Sequence, residues 1–297
     1  MFGFGRSPLT RQLLTQLHRN LHEPRFDASV WYTCKMSRLD RDLSRTFVQC
    51  NLDAATSEFL EYSRKTADSF CLQIFYRIAM IVLSLFMSLT DMNGLLGRGA
   101  TFLFSSSQLR MLMNAAGVTN MVHSTVLDIG AGDGTITDEM KEVFCSSISV
   151  TEKSRTMRQT LRRKGYTVLD VDQWHAAEPF DVISLLNVLD RCDKPMSLLQ
   201  DIHNSLAQTG GILLLAVVLP FDPIVLKGPW KIAPTEKLKV KGSTFESSVN
   251  RLVSDVLNPH GFKLLSWTRL PYLSEGDLFE AYFVLDCALL MLQKCEQ

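Results

Sequence analysis

Val126-Leu-Asp-Ile-Gly-Ala-Gly-Asp-Gly134 decides the fold. A short apolar run, Thr125–Ile129, reads as a strand, and glycines follow at alternate positions 130, 132 and 134 before an amphipathic stretch, Ile136–Val143. Glycine lets the chain turn sharply and approach a ligand closely, and the following helix opens with free N–H groups. A dinucleotide site would space its glycines G-x-G-x-x-G to seat a pyrophosphate. Here the third glycine arrives one position early and the sixth position is Thr135. Asp128, two residues before the first glycine, suits a cationic ligand better than a phosphate.

Working outward, the texture stays α/β. Ser147–Thr151, Tyr166–Val171, Phe180–Leu186 and Gly211–Leu219 read as further strands. Ser154–Lys164 and Met196–Ala207 read as the helices between them. Gly211–Leu219 is apolar enough for the middle of a parallel sheet. The tail predicts a helix over Phe245–Leu257 and strands over Phe262–Leu270 and Ala281–Leu285. Strands alternating with helices imply a sheet covered on both faces. Two late strands closing that sheet suit a class I methyltransferase, a Rossmann-like sheet, and D-x-G-x-G-x-G is the first motif of that class. Before it the pattern is helical, at Ala54–Tyr62 and Phe70–Leu89, and Ser105-Ser-Ser-Gln108 reads as a capping box opening a helix. The expected division is an N-terminal helical region, 1–105, and an S-adenosylmethionine-binding domain, 106–297.

Each strand end then acquires a role. Asp128 is placed to receive the amino group of a methionyl moiety, directly or through water, with Gly130 and Gly132 leaving room for the ligand. Glu152 ends the second strand, 22 residues beyond Gly130, where an acid accepts hydrogen bonds from two ribose hydroxyls. NAD would present the same ribose, so Glu152 alone does not separate the cofactors. Asp172, with Gln173 and Trp174, follows the third strand and is placed to edge the adenine. The fourth strand runs into Asn187-Val-Leu-Asp190. Ligands of open α/β sheets bind beyond the carboxyl ends of the strands, which puts Asn187 and Asp190 beside the reactive methyl. Helix capping is the alternative for both and fits Asp193 better; for Asn187 and Asp190 a substrate role is the preferred reading.

Composition sets the limits. Hydrophobic residues are 46% and charged residues 21% of 297, a globular balance. With 31 basic and 31 acidic residues the net charge is +0, which gives no sign of a nucleic-acid or anionic-membrane surface. Seven scattered cysteines without a C-x-x-C pair argue for free thiols and against zinc. His18 and His22 lack further ligands at metal-site spacing, and the other histidines, among them His123 and His175, stand alone. No nucleophilic triad is visible. Residues 1–22 carry Arg6, Arg11 and Arg19 with a stripe of Leu9, Leu13, Leu17 and Leu21, which reads either as an amphipathic helix or as a transit peptide. Ile78–Leu89 is apolar apart from Ser84 and Ser88 but shorter than the roughly 20 residues of a membrane span, so burial against the Rossmann-like domain is expected.

Beyond the glycine loop, the chain resembles the DREV family of protein-histidine N-pros methyltransferases. The resemblance runs through Arg6-Ser-Pro-Leu-Thr-Arg11, Asn93-Gly-Leu-Leu-Gly-Arg-Gly99, Asn187-Val-Leu-Asp-Arg-Cys-Asp193, Val218-Leu-Pro-Phe221, Thr268-Arg-Leu-Pro-Tyr-Leu273 and Glu275-Gly-Asp277. It implies transfer of a methyl group from S-adenosylmethionine to a histidine ring in proteins carrying His-x-His motifs. It places Asp128, Gly130 and Glu152 at the cofactor and Asn187 and Asp190 at the imidazole; Tyr272 is our addition to the pocket. The family often pairs two tyrosines where this chain has Tyr282-Phe283. A hydrophobic, signal-like N-terminus also found in the family is absent, so the compartment stays open: cytoplasm, mitochondrion or endoplasmic reticulum. A small-molecule methyltransferase and a non-catalytic S-adenosylmethionine-binding scaffold remain the alternatives. No nucleic acid and no membrane span are expected.

Overall fold

The computed structural model describes residues 27–118, 121, 124–144, 147–176, 179–227, 230–277 and 279–295. The leucine-striped segment 1–22, with His18 and His22, and also His123, lie outside the described residues. The described residues open with a 3-10 turn, Ala28–Tyr32, followed by helices α1 (Arg41–Thr46), α2 (Ala54–Asp68), α3 (Phe70–Leu83) and α4 (Leu89–Leu96). Strand β1 (Thr101–Phe102) and helix α5 (Ser106–Ala115) lead into the α/β body. There β2 (Val126–Ile129), α6 (Thr135–Phe144), β3 (Ile148–Thr151), α7 (Arg155–Arg163) and β4 (Thr167–Leu169) alternate. They are followed by β5 (Val182–Leu186), α8 (Pro195–Ser205) and β6 (Ile212–Val218). A hairpin of β7 (Val225–Lys227) and β8 (Trp230–Ile232), helix α9 (Phe245–Arg251) and the long strands β9 (Phe262–Glu275) and β10 (Tyr282–Lys294) complete it.

The eight-stranded sheet runs β1-β9-β10-β6-β5-β2-β3-β4. Strands β2 to β6 pair in parallel, and β10 lies antiparallel between β6 and β9. That insertion of the last strand is the class I methyltransferase arrangement anticipated from the two late strands. Two apolar cores flank the sheet. One holds Val126, Ile148, Leu214 and Leu289 with Trp31, Leu60 and Phe102, so side chains from the N-terminal helical region share the core of the α/β body. The other holds Leu127, Ile183, Leu215 and Trp267 under α8 and α9. Adjacent residues of one strand serve opposite cores because side chains alternate across the pleat.

Local chemistry sets the helix starts. The Ser105 hydroxyl accepts from Gln108 N at 3.1 Å while the Gln108 side chain accepts from Ser105 N at 3.2 Å, the capping box expected there. Asp53 caps α2 through Thr56 N at 2.9 Å and also accepts from the Ser105 hydroxyl at 2.5 Å, tying the two helix starts together.

Three expectations need correction. The helix read over Phe70–Leu89 stops at Leu83, and a second helix begins at Leu89. Its apolar stretch is not buried: Ile78, Ile81, Val82, Leu85, Phe86 and Leu89 are all exposed. Helix α3 leans on its chain neighbours α2 and α4, and Gln73 is its one fully buried residue. Finally, β10 extends to Lys294 rather than ending at Leu285, because its second half is clamped between β6 and β9.

Candidate active site

The glycine loop is built by its neighbours. Gly130 N and Ala131 N both donate to the Thr151 carbonyl, at 2.9 and 3.0 Å, binding the end of β2 to the end of β3. Gly130 sits at φ +79°, and a Cβ there would lie 2.6 Å from the Val188 side chain in the loop after β5. Only glycine fits both conditions. Gly132, at φ +58°, has no atom within 4 Å of where its Cβ would point, so the loop's outer surface is open for a ligand. Asp133 caps α6, accepting from Thr135 N at 2.9 Å.

Asp128 lies beneath this loop at 2% exposure. Its two oxygens accept from the Ser184 hydroxyl on β5 and the Thr137 hydroxyl on α6, both at 2.7 Å. Burial pushes its carboxyl above the ordinary range; these hydrogen bonds oppose the shift and the nearby Glu152 adds to it. Glu152 is half-buried and accepts from Gly132 N at 3.1 Å and Ser154 N at 2.7 Å. Those backbone donors fix the carboxylate with its remaining lone pairs free for ribose hydroxyls. Two carboxylates beside one open glycine loop favour a cationic ligand.

Asp172 is exposed in the turn after β4, its N–H donating to Asp170 at 2.8 Å. Trp174 is different from what was expected. It is 5% exposed and belongs to the core that also holds Leu199 and Phe180, so its ring is occupied by packing rather than free to edge a base.

The loop after β5 carries the third element. Asn187 is the one non-glycine with positive φ among the described residues, at 55°. Its N–H donates to the Ala216 carbonyl at 2.9 Å, and its side-chain oxygen accepts from the buried Cys287 thiol at 3.4 Å. A strained backbone held this firmly is typical of functional positions. The Asn187 amide nitrogen is buried and has no partner among the described residues. Asp190, 3% exposed, pairs one oxygen with Arg191 Nε at 3.1 Å, while its other oxygen is buried and has no partner among the described residues. Burial raises its carboxyl above the ordinary range, with Arg191 opposing. A cavity of about 390 Å³ opens beside it, lined by Asp190, Arg191, Leu219, Asp222, Val284 and Asp286 among others. Arg191, Asp222, Asp286 and Cys287 went unread in the sequence. The quoted Val218–Phe221 segment leads into Asp222, but Asp286 and Cys287 lie in the half of β10 that alternation did not reveal.

Tyr272 sits on β9 opposite Leu285 of β10, its phenol pushed up by burial and, secondarily, by Cys287 and Asp190. Leu285 lines the cavity, whereas Tyr272 itself is not among its lining residues. Tyr282 packs edge-on to Trp31, with Arg64 over its ring at 5.8 Å. No group of three or more metal-ligating side chains occurs among the described residues.

A parallel sheet with an antiparallel last pair, an acid-flanked glycine loop and a cavity at the strand ends define a class I methyltransferase. The DREV methyltransferase family matches residues 31–294, and the chain belongs to that family. Its methyl donor is S-adenosylmethionine, and the buried acid, open loop and Glu152 described above fit that group. The chain is also similar to several solved structures. One is a candidate RNA methyltransferase from Pyrococcus horikoshii, with 13% identity, covering 64% of this chain and 83% of that one, at TM-score 0.44. A second is magnesium protoporphyrin IX methyltransferase from Synechocystis, with 12% identity, covering 64% and 81%, at TM-score 0.41. A third is a TehB-like methyltransferase from Corynebacterium glutamicum, with 14% identity, covering 61% and 85%, at TM-score 0.38. The assignment rests on the family match.

Proposed function

We propose that the chain is a protein-histidine N-pros methyltransferase acting on His-x-His motifs. The observation that carries this reading is the buried oxygen of Asp190, a residue that lines the cavity, which has no partner among the described residues; the Asn187 amide nitrogen, likewise unpartnered, lies three residues earlier in the same loop. A buried polar atom without a partner is costly, so it marks a place where a ligand supplies the bond. A neutral imidazole bears one N–H donor and one lone pair; the Asp190 oxygen suits the N–H, which leaves the lone pair for the methyl group.

Bound S-adenosylmethionine supplies an electrophilic methyl group on a sulfonium centre. A neutral imidazole, with an unperturbed pKa near 6.5, is already nucleophilic, so no strong base is needed. The residues have to select the tautomer and the line of approach. Asp190 accepts the tele N–H, which leaves the lone pair on the pros nitrogen. With S-adenosylmethionine held by Asp128 and Glu152, that nitrogen would take the methyl carbon and the carbon–sulfur electron pair would remain on sulfur. Asp190 then stabilises the imidazolium and takes its N–H proton toward solvent. Its raised pKa suits that acceptance. Asn187, with its oxygen occupied by Cys287, presents its NH2 to the bound peptide. Asp128 and Glu152 receive the donor's amino group and ribose hydroxyls, and Asp172 is assigned to the adenine edge.

Radiolabelled methyl transfer onto His-x-His peptides, followed by chromatography of the hydrolysed product, tests the reading. Label in pros-methylhistidine is expected. Label in tele-methylhistidine would reverse the orientation given to Asp190, and no label on any histidine peptide would return the choice to a small-molecule acceptor.

A further inference from the structure

The exposed face of α3 and α4 is unusual for a soluble surface. Leu85 is 77% and Phe86 78% exposed in the turn between the two helices, and Ile78, Ile81 and Val82 of α3 and Leu89 of α4 are exposed on either side of it. Contiguous apolar surface of this kind marks an interaction site. It is also bordered by positive charge. Arg77 lies over the Phe279 ring at 5.5 Å, and Arg98 over the Tyr76 ring at 5.3 Å. On the other side α4 packs on α7. Asp91 accepts from the Ser154 hydroxyl at 2.5 Å, and Gly94 lies so close to Thr156 that a Cβ would clash.

Helix α7 contains no acid and carries Arg155, Arg158, Arg162 and Arg163, with Lys153 before it and Lys164 after it. Lys153, Arg155, Arg162 and Arg163 are exposed and enter no ion pair among the described residues. Asp91, the acid at this junction, is engaged with Ser88, Ser154 and Thr156. An apolar helical face adjoining an acid-free basic helix is the pattern of a protein that lies on an anionic bilayer. A second copy of the chain does not fit as well, because a symmetric contact would set arginine against arginine.

No single described helix is long and apolar enough to cross a membrane. Helices α2 and α3 reach that composition only together and are bent by 79°. The Leu60 and Ala67 side of α2 is buried in the protein. We infer that the α3–α4 face, with Ile81, Leu85 and Phe86 inserted and Arg155, Arg162 and Arg163 over lipid headgroups, docks the enzyme peripherally on an anionic membrane surface. The contact between α4 and α7 is at Ser154, whose N–H holds Glu152, so docking brings the cofactor site near the bilayer. The inference stands independently of the methyl acceptor.

The test is flotation of the purified full chain with vesicles of phosphatidylcholine alone or mixed with phosphatidylserine. Binding is expected with the mixed vesicles only and should weaken as salt rises. The double variant Leu85→Glu, Phe86→Glu should lose it. Arg155→Glu with Arg162→Glu should weaken it on the order of tenfold or more. Both variants should keep the affinity for S-adenosylhomocysteine, which shows that the fold is intact. Equal binding to both kinds of vesicle, or none, would overturn the inference. So would a dimer in ultracentrifugation that the Leu85, Phe86 variant disperses.

Discussion

Asp128 and Asp190 are both buried carboxylates at adjacent strand ends, yet their surroundings differ in kind. Asp128, in β2, has hydroxyls from Ser184 and Thr137 on its two oxygens. Asp190, in the loop after β5, has Arg191 on one oxygen and no partner among the described residues on the other. Burial raises both above the ordinary carboxylate range. The satisfied acid is held in place beneath the glycine loop by the Ser184 and Thr137 hydroxyls, and in the proposed reading it faces the donor's amino group from there. In the proposed reaction the half-satisfied acid takes its missing donor from the substrate. Hydrogen-bond completeness, rather than burial, therefore separates frame from chemistry.

The largest effect should come from Asp190→Asn. If Asp190 sets the imidazole tautomer, transfer falls on the order of 10² to 10³, below the roughly 10⁴ of the equivalent change in a serine-protease triad, because no proton is removed before attack. Affinity for S-adenosylhomocysteine by calorimetry should stay nearly unchanged. A fully active variant would erase the contrast with Asp128.

Gly130→Ala tests the frame. Positive φ and the approach to Val188 should together lower stability by about 2–3 kcal/mol. Gly132→Ala has the same backbone problem in open space and should lose about 1–2 kcal/mol. Urea midpoints of the two variants give the comparison; a reversed order would mean that the β5 loop does not pack as described.

Asp128→Asn sharpens the comparison through pH. In the unliganded protein the folded-state pKa of Asp128 is raised, so the unfolded chain releases that proton first. Its contribution to stability is then greatest below the ordinary carboxylate pKa and declines as pH rises through the folded value. The melting temperature of Asp128→Asn relative to the parent should therefore climb from acid toward neutral pH. A difference that falls over that window would show that the carboxylate is stabilised as an anion.

The smallest effect is expected from Cys287→Ala, which frees the Asn187 side-chain oxygen. Transfer should drop on the order of a few-fold with the cofactor affinity intact. A larger loss in KM than in kcat would assign Asn187 to peptide binding.

Much of this was legible in the chain itself. The spacing of Gly130, Gly132 and Gly134 after a strand fixed the loop and the parallel sheet, since local backbone freedom and hydrophobic period are properties of neighbouring residues. The capping box at Ser105 and the positions of Glu152, Asn187 and Asp190 at strand ends follow from the same local rules. Tertiary structure alone decided the rest. Ser184 and Thr137 reach Asp128 from different elements, and Cys287 reaches Asn187 from a residue 100 positions away. A zero net charge concealed a basic helix beside an apolar face, because a sum over the sequence has no direction. Ile78–Leu89 looked like core because its residues are apolar. Whether they meet other apolar residues depends on where α3 leaves the sheet, and no local pattern encodes that.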